Sequence, residues 1–176
     1  PNSGDFRPRE HRPQAKQAAL KALELDPNLA EAHTSLAKIL FDYEYDFAGA
    51  EKSFKRAIEL NPNYASAHYW YSEFLSVSNR NDEASREITK AIELDPFSMI
   101  INQNMIVWLI FAERFDEALL QYKKFNELFP NEPRFHFING IIYARQGKYD
   151  QAVEEYFLDA KANRDFKPEN IAKLKE

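Results

Sequence analysis

The sequence predicts an all-α fold, a solenoid built by stacking antiparallel helix pairs. Three observations predict it. One phrase (the end of an amphipathic helix, an Asp-Pro or Asn-Pro break, the start of another helix) is written three times, at Leu20–Leu36, Phe54–Tyr71 and Ile88–Asn104. Prolines close the phrase at a near-constant interval, at Pro27, Pro62, Pro96 and Pro130, and alanines keep the same step at Ala50, Ala84, Ala118 and Ala152. Between these marks apolar residues return at three- and four-residue steps rather than alternating, the period of helices and not of strands. A fixed period of this length marks a repeat architecture in which each unit buries its apolar face only against its neighbours.

Each unit needs the same few devices. The first helix, A, carries a small residue where its neighbour crosses, at Ala37, Ser72 and Gly140; Ile106 holds that position in the third unit, so packing there is expected to be wider. The second helix, B, uses the recurring alanines to let helix A approach. Large residues follow them four positions later, at Phe54, Ile88, Tyr122 and Tyr156, and small ones return at Ala57 and Ala91, with Phe125 as the exception. Proline closes the unit because it has no N–H and cannot continue a helix, and Asp26, Asn61 and Asp95 before it suit a turn.

Taken in order, residues 1–12 (PNSGDFRPREHR) read as a linker or frayed end, and Pro13 suits the first turn of the helix that follows. Residues 13–28 match a helix B with no helix A before it, whose bare flank is the mark of an uncapped array, so the chain reads as a piece of something longer. Full units span 29–62, 63–96, 97–130 and 131–163 within a repeat domain 13–163, and 164–176 reads as a capping helix or tail. The turn Asp42–Asp46 carries the one extra residue of the first unit. Helix A of the third unit, Met99–Phe111, is apolar on nearly every side and is expected to be buried all round.

Composition narrows the function. A net charge of −5, with Lys and Arg scattered among Asp and Glu, is a poor match for a phosphate backbone, so no nucleic-acid binding is expected from this segment. The longest apolar run, Met105–Ala112, is far too short to span a bilayer, and no membrane contact is expected. The absence of Cys excludes disulfides, thiolate metal sites and cysteine nucleophiles, and fits a reducing cytoplasm. Four glycines, Gly4, Gly49, Gly140 and Gly147, are scattered and form no phosphate loop. No Ser-His-Asp order or acid/base pair stands apart from the repeat, and the carboxylates read as solvated helix faces. No catalytic residue, cofactor or metal is expected. His33, His68 and His136 share one position of three units, but equivalent atoms in successive units stand roughly 10 Å apart, too far to share one ion at ligand distances of roughly 2 Å.

The constant period, the A-x3-F spacing at Ala50/Phe54 and its echoes, and the terminal prolines resemble the tetratricopeptide repeat family from about Gln14 to Asn163. The wording AEKSFKRAIELNPNYASAHYWYSEFL resembles, in particular, bacterial arrays attached to transcriptional regulators, Ser/Thr kinases or nucleotide cyclases. The resemblance implies a right-handed superhelix whose A helices line a concave face that binds a peptide or partner protein. It implies that the histidine position takes a large planar side chain, Trp in the family. Transferred by position, the concave candidates are Thr34, Ser35, Lys38 and Asp42 in the first unit; Tyr69, Trp70, Glu73 and Val77 in the second; Gln103, Asn104, Val107 and Phe111 in the third; and Phe137, Ile138, Ile141 and Arg145 in the fourth.

Two groove types of that family can be tested on these positions. The carboxylate clamp of chaperone-tail binders is absent, because its positions hold Thr34, Lys38, Trp70, Ile100 and Asn104. An asparagine ladder is absent too, since only Asn104 qualifies in the series Ser35, Trp70, Asn104, Ile138. What remains is an aromatic and aliphatic groove expected to anchor an apolar partner segment on Tyr69, Trp70, Phe111 and Phe137. Two other roles stay open: homo-oligomerisation through the apolar third and fourth units, and service as an accessory domain to a catalytic domain elsewhere.

Overall fold

A computed structural model describes the backbone of residues 8–130 and 134–162, with side chains over 13–130 and 136–161. The described residues are all-α: α1 (Pro8–Leu25), α2 (Ala30–Ile39), α3 (Phe47–Leu60), α4 (Ala65–Val77), α5 (Asn81–Leu94), α6 (Met99–Phe111), α7 (Phe115–Leu128), α8 (Arg134–Arg145) and α9 (Tyr149–Ala162). Helix α1 begins before the expected start at Pro13, which therefore lies inside the helix and not in its first turn. Residues 1–7 of the expected linker and the expected capping segment 164–176 lie outside the described residues. The chain divides after Pro96 into two compact units, α1–α5 and α6–α9.

The helix pairs α2/α3, α4/α5, α6/α7 and α8/α9 follow the repeat. The turn between the members of each pair is closed by one residue in the left-handed region: Tyr45 (φ 56°), Asn79 (59°), Glu113 (58°) and Gly147 (74°), in step with the period. The amide after it reaches back to close the first helix, as in Arg80 N–H to Leu75 O at 2.9 Å, Arg114 to Leu109 at 2.9 Å and Lys148 to Tyr143 at 2.9 Å. In the first pair the corresponding bond, Asp46 N–H to Leu40 O at 3.0 Å, spans one more residue. The extra residue of that unit is taken up as a π-helical turn, Leu40–Glu44, which keeps Tyr45 in step.

In the first unit the recurring alanines and the residues four later disappear from solvent: Ala50, Phe54, Ala57, Ala84 and Ala91 are 0 % exposed, and Ile88 1 %. Phe54 is ringed by Tyr71 and Phe74, with centroids 5.7 and 6.0 Å away, and Phe41 meets Phe74 edge-on at 5.4 Å. Arg80 joins the helices around this core. It bonds Glu83 at the start of α5 and reaches Glu51 on α3 at 2.7 Å, while the Tyr71 hydroxyl donates to the same Glu51 carboxylate at 3.2 Å. Hydrogen bonds from Lys55 and from Arg80 outweigh partial burial and hold the Glu51 carboxyl down at about 2.

In the second unit Ile106 and Phe125 stand where the first unit has Ala37 or Ser72 and Ala57 or Ala91. The backbones of α6 and α7 approach each other less closely than in the other three pairs. The two larger side chains fill the gap, both at 0 % exposure, beside Leu109, Ala118, Tyr122 and Ile142. The wider packing expected from Ile106 is present. The expectation that α6 is buried all round is corrected: Ile101, Asn102, Ile106 and Leu109 face the core, while Ile100 is 49 % and Phe111 79 % exposed. Its apolar composition exceeds what two neighbouring helices can cover.

Candidate partner-binding groove

The histidine position is occupied in every pair, by His33, His68, Asn102 and His136. In three pairs it meets a polar residue of its own helix B. His68 Nδ1 lies 2.6 Å from Glu87, Gln121 donates to the Asn102 carbonyl oxygen at 2.8 Å, and His136 Nδ1 lies 2.9 Å from Glu155. Glu87, Gln121 and Glu155 themselves stand one period apart, so the position is an inter-helix polar lock. The other end of the side chain ties down the preceding turn: His33 Nε2 to Pro27 O at 3.0 Å, His68 Nε2 to Pro62 O at 2.9 Å, Asn102 Nδ2 to Ser98 O at 2.9 Å. Asn102 escaped the sequence reading because the search followed histidine and not the period.

The concave positions of the first unit are largely engaged with one another. Lys38 bonds Asp42 at 3.1 Å and Glu73 at 2.9 Å, and its ammonium sits 4.1 Å from the centre of the Trp70 ring. Thr34 is 4 % and Tyr69 5 % exposed; both are core-facing, a correction to their expected place on an open binding face. The Thr34 hydroxyl donates to Ala30 O within its own helix, and Tyr69 packs on Trp70 at 4.3 Å between centroids. Ser35 is exposed but bonded to Glu31 O, and Val77 is exposed at the end of α4.

In the second unit the same positions open into a cavity of about 500 Å³. Among the described residues, Gln103, Asn104 and Val107 of α6 face Phe137, Ile138 and Ile141 of α8 across it, and Asp159 of α9 also lines it. The period places Val107 and Ile141 where the first unit has Lys38 and Glu73, and Asn104 and Ile138 where it has Ser35 and Trp70. An ion-paired surface in one unit is thus an open apolar one in the other. Two expected site residues lie elsewhere: Phe111 and Arg145 are exposed at the ends of α6 and α8 and do not line the cavity.

Two features support the cavity wall. Gly140 makes room for Tyr156, since a Cβ built at Gly140 would lie 2.5 Å from the Tyr156 ring. Tyr156 in turn packs against Phe137, centroids 5.8 Å apart, and holds it beside the opening. Asp159 is the lining residue that a search restricted to A helices misses. It stands where the earlier B helices place Ala57, Ala91 and Phe125, each 0 % exposed, so a charged residue there was a departure visible in the register.

Among the described residues no helix is long and apolar enough to cross a membrane, and no three His, Cys, Asp or Glu side chains are grouped to hold a metal ion. Family models described as "Tetratricopeptide repeat" match residues 43–99 and 109–168, together about two thirds of the chain. A search of curated proteins gave no match. Among solved structures, MamA is similar at a TM-score of 0.74 and 22 % identity, over 94 % of this chain and 96 % of that one. PilF of Pseudomonas aeruginosa is similar at a TM-score of 0.75 and 25 % identity, over 88 % of this chain and 70 % of that one. YrrB, described as a TPR protein with an unusual peptide-binding site, is similar at 0.69 and 20 % identity, over 89 % and 80 % of the two chains. The period, the left-handed turn residues kept in step with it, the helix pairs and the matching family models lead to one statement: this chain belongs to the tetratricopeptide repeat family.

Proposed function

We propose that this chain is a protein-interaction module that takes an apolar segment of a partner protein into the cavity between α6 and α8. The observation that carries the reading is the change of character at fixed repeat positions. Lys38, Glu73 and Trp70 engage one another, whereas Val107, Ile138 and Ile141, at equivalent positions, surround about 500 Å³ of open space. Cavities of this size, mostly apolar with a few polar groups at fixed places, are what proteins use to hold ligands. A neighbour of the same fold is described as carrying a peptide-binding site, which supports a peptide as ligand here. The family match is to a repeat and not to a catalyst, consistent with a binding role. We place the module in the cytoplasm as part of a larger bacterial regulatory protein, on the strength of its cysteine-free sequence and the wording of its repeats.

Selection of a displayed random peptide library on the chain tests the reading. Selected peptides should share apolar residues and lose ten-fold or more in affinity against Phe137→Ala or Ile141→Asp, with circular dichroism confirming that both variants fold. Trp70→Ala should change affinity less than two-fold. Equal loss with all three variants, or none with either α8 variant, contradicts the cavity as the site. Self-association is the second reading, favoured by Phe111 and Leu120, 79 % and 56 % exposed on the second unit; a strict monomer in light scattering across a concentration series counts against it.

A further inference from the structure

We propose that His136 is a modification site, an imidazole whose Nε2 is set up as a nucleophile for an activated acyl group; the inference is independent of the cavity. His33, His68 and His136 share one repeat position, and they differ in the two features that decide reactivity. The first is a carboxylate on Nδ1. Glu155 lies 2.9 Å from Nδ1 of His136 and Glu87 lies 2.6 Å from Nδ1 of His68. The same B-helix position beside His33 is Ser53, whose hydroxyl donates to Gly49 O instead. The second feature is the state of Nε2. In His33 and His68 it is taken up by the carbonyls of Pro27 and Pro62, at 3.0 and 2.9 Å. No described residue takes up Nε2 of His136, and that side chain is 38 % exposed against 7 % for His68. Among the three, His136 alone combines a carboxylate on one nitrogen with an open second nitrogen.

A carboxylate that accepts from Nδ1–H fixes the neutral ring with its proton on that nitrogen, which puts the lone pair on Nε2. A nucleophile or base oriented by a third group is the arrangement that covalent chemistry uses. Glu155 is itself held, because Asn139, 4 % exposed, donates Nδ2 to its other oxygen at 2.5 Å. In the reaction the Nε2 lone pair attacks the acyl carbon. A C–N bond forms, and the bond to the leaving group breaks with the electron pair going to that group. The ring now carries a positive charge beside Glu155 and loses its Nδ1 proton to that carboxylate, which passes it through solvent to the leaving group. A neutral N-acyl imidazole remains. Glu155 acts through His136 and is a positioning residue.

The probe is diethyl pyrocarbonate, a neutral acyl donor, applied to the whole chain with the rate at each histidine read by peptide mass mapping. His136 should react about ten-fold or more faster than His33 and His68. Glu155→Gln keeps an acceptor for Nδ1, and so a purely structural lock, but removes the charge. It should slow His136 by about five-fold or more while His33 and His68 keep their parental rates. Asn139→Ala, which frees one oxygen of Glu155, should slow His136 by about two-fold and serves if circular dichroism shows that the first variant does not fold. Reaction at His136 no faster than at His33 overturns the proposal, because Nε2 is then not open. A fast His136 that is not slowed in whichever variant folds also overturns it, because exposure alone then accounts for the reaction.

Discussion

The imidazole of His68 on α4 lies 2.6 Å from the carboxylate of Glu87 on α5, at only 6 % exposure, and the opposite ring nitrogen lies 2.9 Å from the Pro62 carbonyl. Both nitrogens face acceptors. A neutral imidazole can donate from one nitrogen only, so satisfying both contacts requires the doubly protonated ring.

That relationship predicts a pH-dependent stability. Burial acts to lower the His68 pKa and Lys90 of α5 adds to that, but the bonds to Glu87 and to the Pro62 carbonyl, with the charge of Glu87, outweigh them and raise it above its ordinary value of 6.5. The Asn61–Asn63 turn packed against the ring brings no ionisable side chain of its own. A pKa raised on folding contributes stability that is fully present below the unfolded value and lost as pH rises through the folded one. The parent should therefore exceed His68→Asn in stability most strongly below the ordinary value of 6.5, with the difference shrinking as pH rises above it. Urea unfolding of both proteins at several pH values checks this; a difference that holds constant, or grows with pH, contradicts it.

The left-handed turn residues give a second prediction. Gly147 sits at φ 74° with nothing within 4 Å of where a Cβ would lie, so a substitution there changes backbone strain and no packing. Gly147→Ala should cost about 1 kcal/mol. Glu113, at φ 58° in the same position of the preceding pair, should gain up to about 1 kcal/mol on replacement by Gly. Opposite shifts in the urea midpoint are expected from the two variants. Shifts of the same sign would mean that side-chain contacts, not the backbone, decide at these turns.

Packing at the helix crossings supplies a third. Gly140→Ala forces the Tyr156 ring aside and should cost about 1–3 kcal/mol through overpacking. Ile106→Ala at the same repeat position should cost about 2–5 kcal/mol through the cavity it leaves, because the α6/α7 pair is built around the larger side chain. Restoring the repeat's usual small residue is thus expected to hurt in the third pair. If Ile106→Ala is neutral, the wider spacing of α6 and α7 has another cause.

Much of this molecule can be read without coordinates, and the reason is the period. A contact that recurs once in every repeat imposes the same residue type each time, which is why Ala50, Ala84, Ala118 and Ala152 reveal the crossings. The wider third pair was legible for the same reason, through Ile106. The candidate site was less legible. Period assigns a residue to a position but does not say what its neighbours do with it. Trp70 stood out as an unusual residue, yet Lys38 lies over its ring and Tyr69 turns into the core. Val107 and Ile141 looked ordinary one at a time and matter because they face each other across open space. Asp159 was missed because the resemblance directed attention to A helices alone. The start of α1 at Pro8, ahead of the expected Pro13, shows how weakly composition marks the end of a helix.

The central claim is that the second unit, and not Trp70, holds the partner. The most direct measurement is the amide ¹H–¹⁵N NMR spectrum of the whole chain titrated with an apolar peptide recovered from the displayed library. Shifts concentrated at Asn104, Val107, Ile138 and Ile141, with Lys38, Trp70 and Glu73 unmoved, are the predicted result. Shifts concentrated around Lys38, Trp70 and Glu73 would contradict the claim.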